Sequence, residues 1–113
     1  MHEVSIMESA LESAEAHARK QGAARILRMG LRIGDASGVV PDALEFAFGA
    51  VTDGTMAEGA TLEIERVPIA AWCAACNAEF APPDILACCP TCGAFSADIR
   101  RGREMQLSFL EVE

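Results

Sequence analysis

The chain has 113 residues, enough for one domain or one domain with a small satellite. Half of them are hydrophobic, yet with five Phe, one Trp and no Tyr the core must be built from aliphatic side chains and alanine. Seventeen acidic against nine basic residues leave a net charge of −8, a surface that repels phosphates and argues against nucleic acid as a partner. No apolar run reaches the length of a membrane span, and the first residues lack the basic-then-apolar order of a signal peptide, so a cytoplasmic protein with no membrane partner is expected.

Taken in order, Ser5 and Glu8 have the spacing of a capping box, which predicts a helix starting at Ser5. Met7, Ala10, Leu11, Ala14 and Ala18 share one face of it, and Gly22 is placed to end it. His17 reads as a surface histidine of this helix. From Leu27 the period changes to two: Leu27, Met29, Leu31 and Ile33 oppose Arg28, Gly30 and Arg32, the pattern of a strand with one covered face. The turn cluster Gly34 to Gly38 leads to Pro41 in the first turn of a second helix, whose stripe Leu44, Ala47, Phe48 and Val51 is core packing. Asp53-Gly54 stops it. Thr61 to Arg66 alternates again, with Leu62 and Ile64 opposite Glu63 and Glu65. The apolar phase then moves to Val67 and Ile69 around Pro68, which predicts a bulge or a change of covered face. Glu104 to Val112 forms the last strand, with Met105, Leu107 and Phe109 on one side.

Between those last two strands lie Cys73-Ala-Ala-Cys76 and Cys89-Pro-Thr-Cys92-Gly93, twelve residues apart. Two Cys-x-x-Cys knuckles at this separation in a reducing compartment point to a tetrahedral four-thiolate metal site. Four thiolates leave no open coordination position, so the site builds structure, and structural zinc is the favoured ion. The same knuckles serve rubredoxin-like iron, which keeps an electron carrier as an alternative. Cys88 lacks the two-residue spacing to Cys92 and reads as a small apolar packing residue. The simplest topology pairs the two flanking strands as an antiparallel hairpin expanded into the knuckles. The expected fold is α+β: a three-to-four-stranded sheet with two helices on one face, plus an inserted zinc-ribbon-like module. Residues 1–69 and 98–113 form the α/β domain and residues 70–97 the module.

The start of the chain offers a second metal site. The Met1 α-amine, the His2 amide nitrogen and His2 Nδ1 can close two adjacent chelate rings on one ion, with Glu3 adding its amide or carboxylate. Such a planar nitrogen set suits Ni²⁺ or Cu²⁺ better than Zn²⁺. No nucleophile paired with a base and no phosphate loop is visible, so the protein is read as no enzyme. The run Arg100-Arg101-x-Arg103 is the one feature favouring a zinc ribbon that binds nucleic acid.

Met1-His2-Glu3 with Ser5, the segment Gly34-Asp35-Ala-Ser37-Gly38-Val39, the Ala47-Phe48 helix and the two cysteine knuckles together resemble the HypA/HybF family of hydrogenase maturation proteins, over essentially the whole chain. The resemblance implies a nickel metallochaperone. It implies Ni²⁺ as transferable cargo on His2, with Met1 and Glu3 beside it, and structural zinc on Cys73, Cys76, Cys89 and Cys92. It implies as partners a nickel-handling GTPase and the large-subunit precursor of nickel-iron hydrogenase, and it leaves a homodimer open. Family members commonly carry an acidic residue soon after the Ser-Gly turn. Here Val40 stands in that place, and the nearby Asp42 is not counted as a ligand.

Overall fold

In the computed structural model the described residues are 2–113, so the Met1 amine lies outside them. They form α1 (Glu3–Lys20), β1 (Ile26–Gly34), α2 (Pro41–Val51), β2 (Thr61–Val67), β3 (Ala70–Cys73), β4 (Ala78–Phe80), β5 (Ile99–Arg101) and β6 (Met105–Val112). The strands make two three-stranded sheets, ordered β2-β1-β6 and β4-β3-β5.

The first helix starts earlier than the capping box predicts. His2 is its N-cap and no side chain caps it, while Ser5 is exposed within the first turn. A tertiary contact accounts for the extra residues: Glu3, acidic and therefore favoured at a helix start, accepts a hydrogen bond from the Val40 N–H at 3.4 Å and links the beginnings of both helices. The other end is as expected. Gly22, at φ 71°, allows the Gly22 N–H to reach the Arg19 carbonyl and the Ala23 N–H the Ala18 carbonyl, both at 3.0 Å, which is a Schellman closure.

Met7, Leu11, Ala14 and Ala18 of α1 and Leu44, Ala47 and Phe48 of α2 bury against Ile26, Met29, Leu31 and Ile33 of β1, so both helices cover one face of the first sheet. β1 is the central strand, parallel to β2 through the α2 crossover and antiparallel to β6. The expected β2–β6 hairpin therefore does not form. β1 carries the most completely buried apolar side, and placing it between the other two strands covers both of its edges.

Two register shifts correct the strand phases. One lies between Ile26 and Arg28, so Ile26 takes the buried place expected of Leu27, which is half-buried. The other leaves Ser108 as the extra residue between Leu107 opposite Leu31 and Phe109 opposite Gly30. Beyond it Leu110 and Val112 pack on the core, and Phe109 turns to the outer face, where its ring lies over Gly30. The Arg28 guanidinium sits 5.1 Å from that ring and pairs with Glu63 and Glu111, while Arg32 pairs with Glu65. The uncovered face is thus a layer of exposed ion pairs, of the kind that adds little to stability.

At Pro68 the chain leaves the first sheet and enters the second, with Val67 and Ile69 buried on either side. The second sheet closes on β5, beyond residue 97. The Gly34 N–H donates to the Glu104 carbonyl and the Asp35 N–H to the Val67 carbonyl, extending the first sheet's pairing, while the Ala36 N–H donates to the carbonyl of Gly102, the residue after β5, and so ties the first sheet to the second.

Candidate metal sites

The four cysteine sulfurs converge, all lying within 4.8 Å of one another, the only such group of three or more potential ligands among the described residues. Cys73 Sγ is 3.5 Å from Cys92 Sγ and Cys76 Sγ is 3.9 Å from Cys89 Sγ. A tetrahedral Zn²⁺ with bonds of about 2.3 Å needs sulfurs about 3.8 Å apart, so the present donors fit that ion and no fifth group enters the set.

Local folding explains the convergence. Cys73 ends β3, and the turn to β4 brings the Cys76 N–H to Cys73 Sγ at 3.4 Å, with Asn77 in the left-handed region at φ 53°. In the second knuckle the Cys89 N–H donates to the Ala94 carbonyl and the Gly93 N–H to the Cys89 carbonyl, and Gly93 takes φ 76°. Cys73 and Cys89 are buried, at 3% and 5% exposure, whereas Cys76 is half-buried and Cys92 exposed. The backbone N–H groups of Cys92 and Thr91 face Cys89 and pull its thiol down to about 6. Cys76 is pushed up to about 12, mainly by hydrogen bonding with Cys92, then with Cys73 and Cys89. The four thiols thus titrate as one coupled set, and a cation that replaces their protons stabilises the fold.

The second sheet is braced around this centre. Ser96 Oγ donates to the Trp72 carbonyl, and the Arg100 guanidinium lies 4.7 Å from the Trp72 ring while pairing with Asp98. Arg101 pairs with Glu79. Two of the three arginines that suggested nucleic-acid binding thus already face carboxylates. Cys88 does not pack as expected. Ala87 and Cys89 point inward on either side of it, so the alternation leaves Cys88 exposed, bridged through its backbone to Phe95.

At the start of α1 His2 is exposed, and its carbonyl accepts the Ile6 N–H at 3.1 Å. Glu3 is half-buried with its carboxylate on the Val40 amide, and both residues line a shallow depression with Val4, Ala43 and Phe46. The helix-to-helix link through Glu3 escaped the sequence, as a contact between residues 37 positions apart carries no local signal. The exposed Phe46 did have one, since it lies off the Leu44, Ala47 and Phe48 stripe.

Residues 1–112 match the family model described as "Hydrogenase/urease nickel incorporation, metallochaperone, hypA". The hydrogenase maturation factor HypA of Picosynechococcus sp. is 49% identical over 112 residues, covering 99% of each chain. That of Geobacter metallireducens is 47% identical over 113 residues and the full length of both. Among solved structures, the Ni metallochaperone HypA from Helicobacter pylori superposes with a TM-score of 0.68 at 28% identity, covering 99% of this chain and 97% of that one. With two helices on a small sheet, a four-cysteine centre of zinc geometry and a family match along its length, the chain belongs to the HypA family of nickel-incorporation metallochaperones.

Proposed function

We propose that this protein carries Ni²⁺ on Met1, His2 and Glu3 and delivers it, with a nickel-handling GTPase, to the large-subunit precursor of nickel-iron hydrogenase in the cytoplasm, acting as a carrier and not as a catalyst. Residues 1–69 with 98–113 bear the nickel end, and residues 70–97 form a zinc-bearing insertion whose sheet borrows Ile99–Arg101.

One observation carries the reading: His2 is the exposed N-cap of α1. The amide nitrogens of His2 and Glu3 are therefore among the helix-start N–H groups that have no intrahelical acceptor, and binding a metal through them breaks no helical hydrogen bond. Losing a proton there is further favoured by the positive end of the helix dipole. The ring, the His2 amide and the Met1 amine then supply the planar nitrogen donors that suit Ni²⁺. Because amine and amide must deprotonate, binding weakens as pH falls, and a surface site lets a partner's ligands replace the protein's. Among the described residues no helix is long and apolar enough to cross a membrane. A zinc centre closed by four thiolates has no open coordination position and supplies structure to the module, which serves as a rigid docking element or a conformational sensor.

Nickel titration and metal analysis of three proteins test this. His2→Ala, and a variant extended by Gly-Ser ahead of Met1, should lose nickel affinity by more than the about 10–100-fold that outer-shell changes cause. Both should keep full zinc content. Unchanged nickel affinity in the extended variant would remove the α-amine from the site, and unchanged affinity in His2→Ala would remove the site itself.

A further inference from the structure

The two helices expose an apolar group that the core does not use. Phe46 is 84% exposed on α2, next to Ala43 and the depression that holds His2 and Glu3; Val4 and Val40, at 51% and 55%, lie at the starts of the two helices. Gly49, one turn after Phe46, has open space where a Cβ would sit, so no side chain there covers the ring. A single exposed apolar residue is ordinary, but a near-fully exposed phenylalanine on a well-formed helix beside a cargo site is not.

Charge narrows the occupant. Residues 1–18 and 33–65 contain neither Lys nor Arg. Around the patch stand Glu3, Glu8, Asp42 and Glu45; Asp42 is one turn before Phe46, and Glu8 one turn after Val4. The molecule's cations lie elsewhere, at the end of α1, on the outer face of the first sheet and near β5. A second copy meeting this face with its own would set carboxylates against carboxylates, and anionic lipid or nucleic acid would be repelled.

Resting on the nickel reading above, we infer that Phe46, with Val4 and Val40, docks into an apolar pocket of a partner protein whose rim carries Lys and Arg. The ring anchors the contact and the surrounding carboxylates steer it and set its register. Docking there brings the partner's own ligands against His2, the place where cargo must change hands.

The test uses the full-length zinc-loaded chain, with the purified maturation GTPase and the purified hydrogenase large-subunit precursor as probes, in surface-binding measurements over a salt series. One of the two should bind wild type with an association rate that falls as salt rises. Phe46→Ser should weaken that binding at least tenfold, chiefly through dissociation, and the double variant Asp42→Lys, Glu45→Lys should slow association. Helical circular dichroism and zinc content should stay at wild-type values in both, and nickel affinity in Phe46→Ser. Equal binding by Phe46→Ser, or no binding of either probe to wild type, overturns the inference. So does sedimentation showing a wild-type dimer that Phe46→Ser abolishes. The nickel reading is judged separately: if His2→Ala keeps wild-type nickel affinity while Phe46→Ser loses the partner, the docking face stands and the nickel site falls.

Discussion

Gly34 and Gly102 meet backbone to backbone where the first sheet hands over to the second. A Cβ on Gly34 would collide with the Gly102 carbonyl and lie 2.6 Å from the Arg103 nitrogen, and neither can move without parting the sheets. Gly30 is equally crowded, but by the Phe109 ring, which is itself partly exposed and can swing away. Gly34→Ala should therefore cost about 3 kcal/mol or more, and Gly30→Ala about 1–2 kcal/mol, mainly through displacing the ring and its contact with Arg28. Urea unfolding of the two variants checks the order, and equal losses would mean the sheet junction yields as easily as a side chain.

α1 has opposite ends with separate tasks. Its start holds His2 and is tied to α2 through Glu3, and its finish is closed by Gly22. Gly22 has φ 71° and no neighbouring atoms within 4 Å of the place a methyl group would take, so an alanine there meets conformational strain but no clash. Gly22→Ala should lower stability by about 1–2 kcal/mol, the cost of a left-handed L-residue. Its nickel affinity should match wild type, because the strain sits at the far end of the helix from the nickel site proposed at His2. Thermal unfolding followed by nickel titration of the same sample reads both.

The whole molecule measures 54 × 24 × 16 Å with a radius of gyration of 17.2 Å, against about 13 Å for a compact chain of this length. The elongation reflects two unequal sheets. The first has a core of methionine, leucine, isoleucine and phenylalanine under two helices, while the second buries little beyond Ala70, Ala71, Cys73, Pro82, Ala87 and Cys89, with Ile69 at the junction. Such small side chains release too little apolar surface to order the module without its ion. Removing zinc with a thiol reagent and chelator should therefore red-shift the emission of Trp72, the only tryptophan, whose carbonyl and ring are both held by the second sheet. The helical circular dichroism should remain, since both helices belong to the other sheet. Loss of both signals together would show that the two parts unfold as one unit.

The chemistry and elements of this protein were legible wherever the information is local. Cys-x-x-Cys spacing specified the four-thiolate site, hydrophobic periodicity specified both helices and the main strands, and Gly22 specified a helix end, because each depends on neighbours within a turn or two. Long-range contacts decided the rest. Burial on both edges made β1 the central strand and separated β2 from β6; the extra Ser108 turned Phe109 outward; and the Glu3 contact with Val40 moved the helix start to His2. Residues 1–3 offered candidate nickel donors, but only the folded chain put His2 and Glu3 at a helix start, where their amides have no intrahelical acceptor, because which N–H groups remain free depends on where the helix begins.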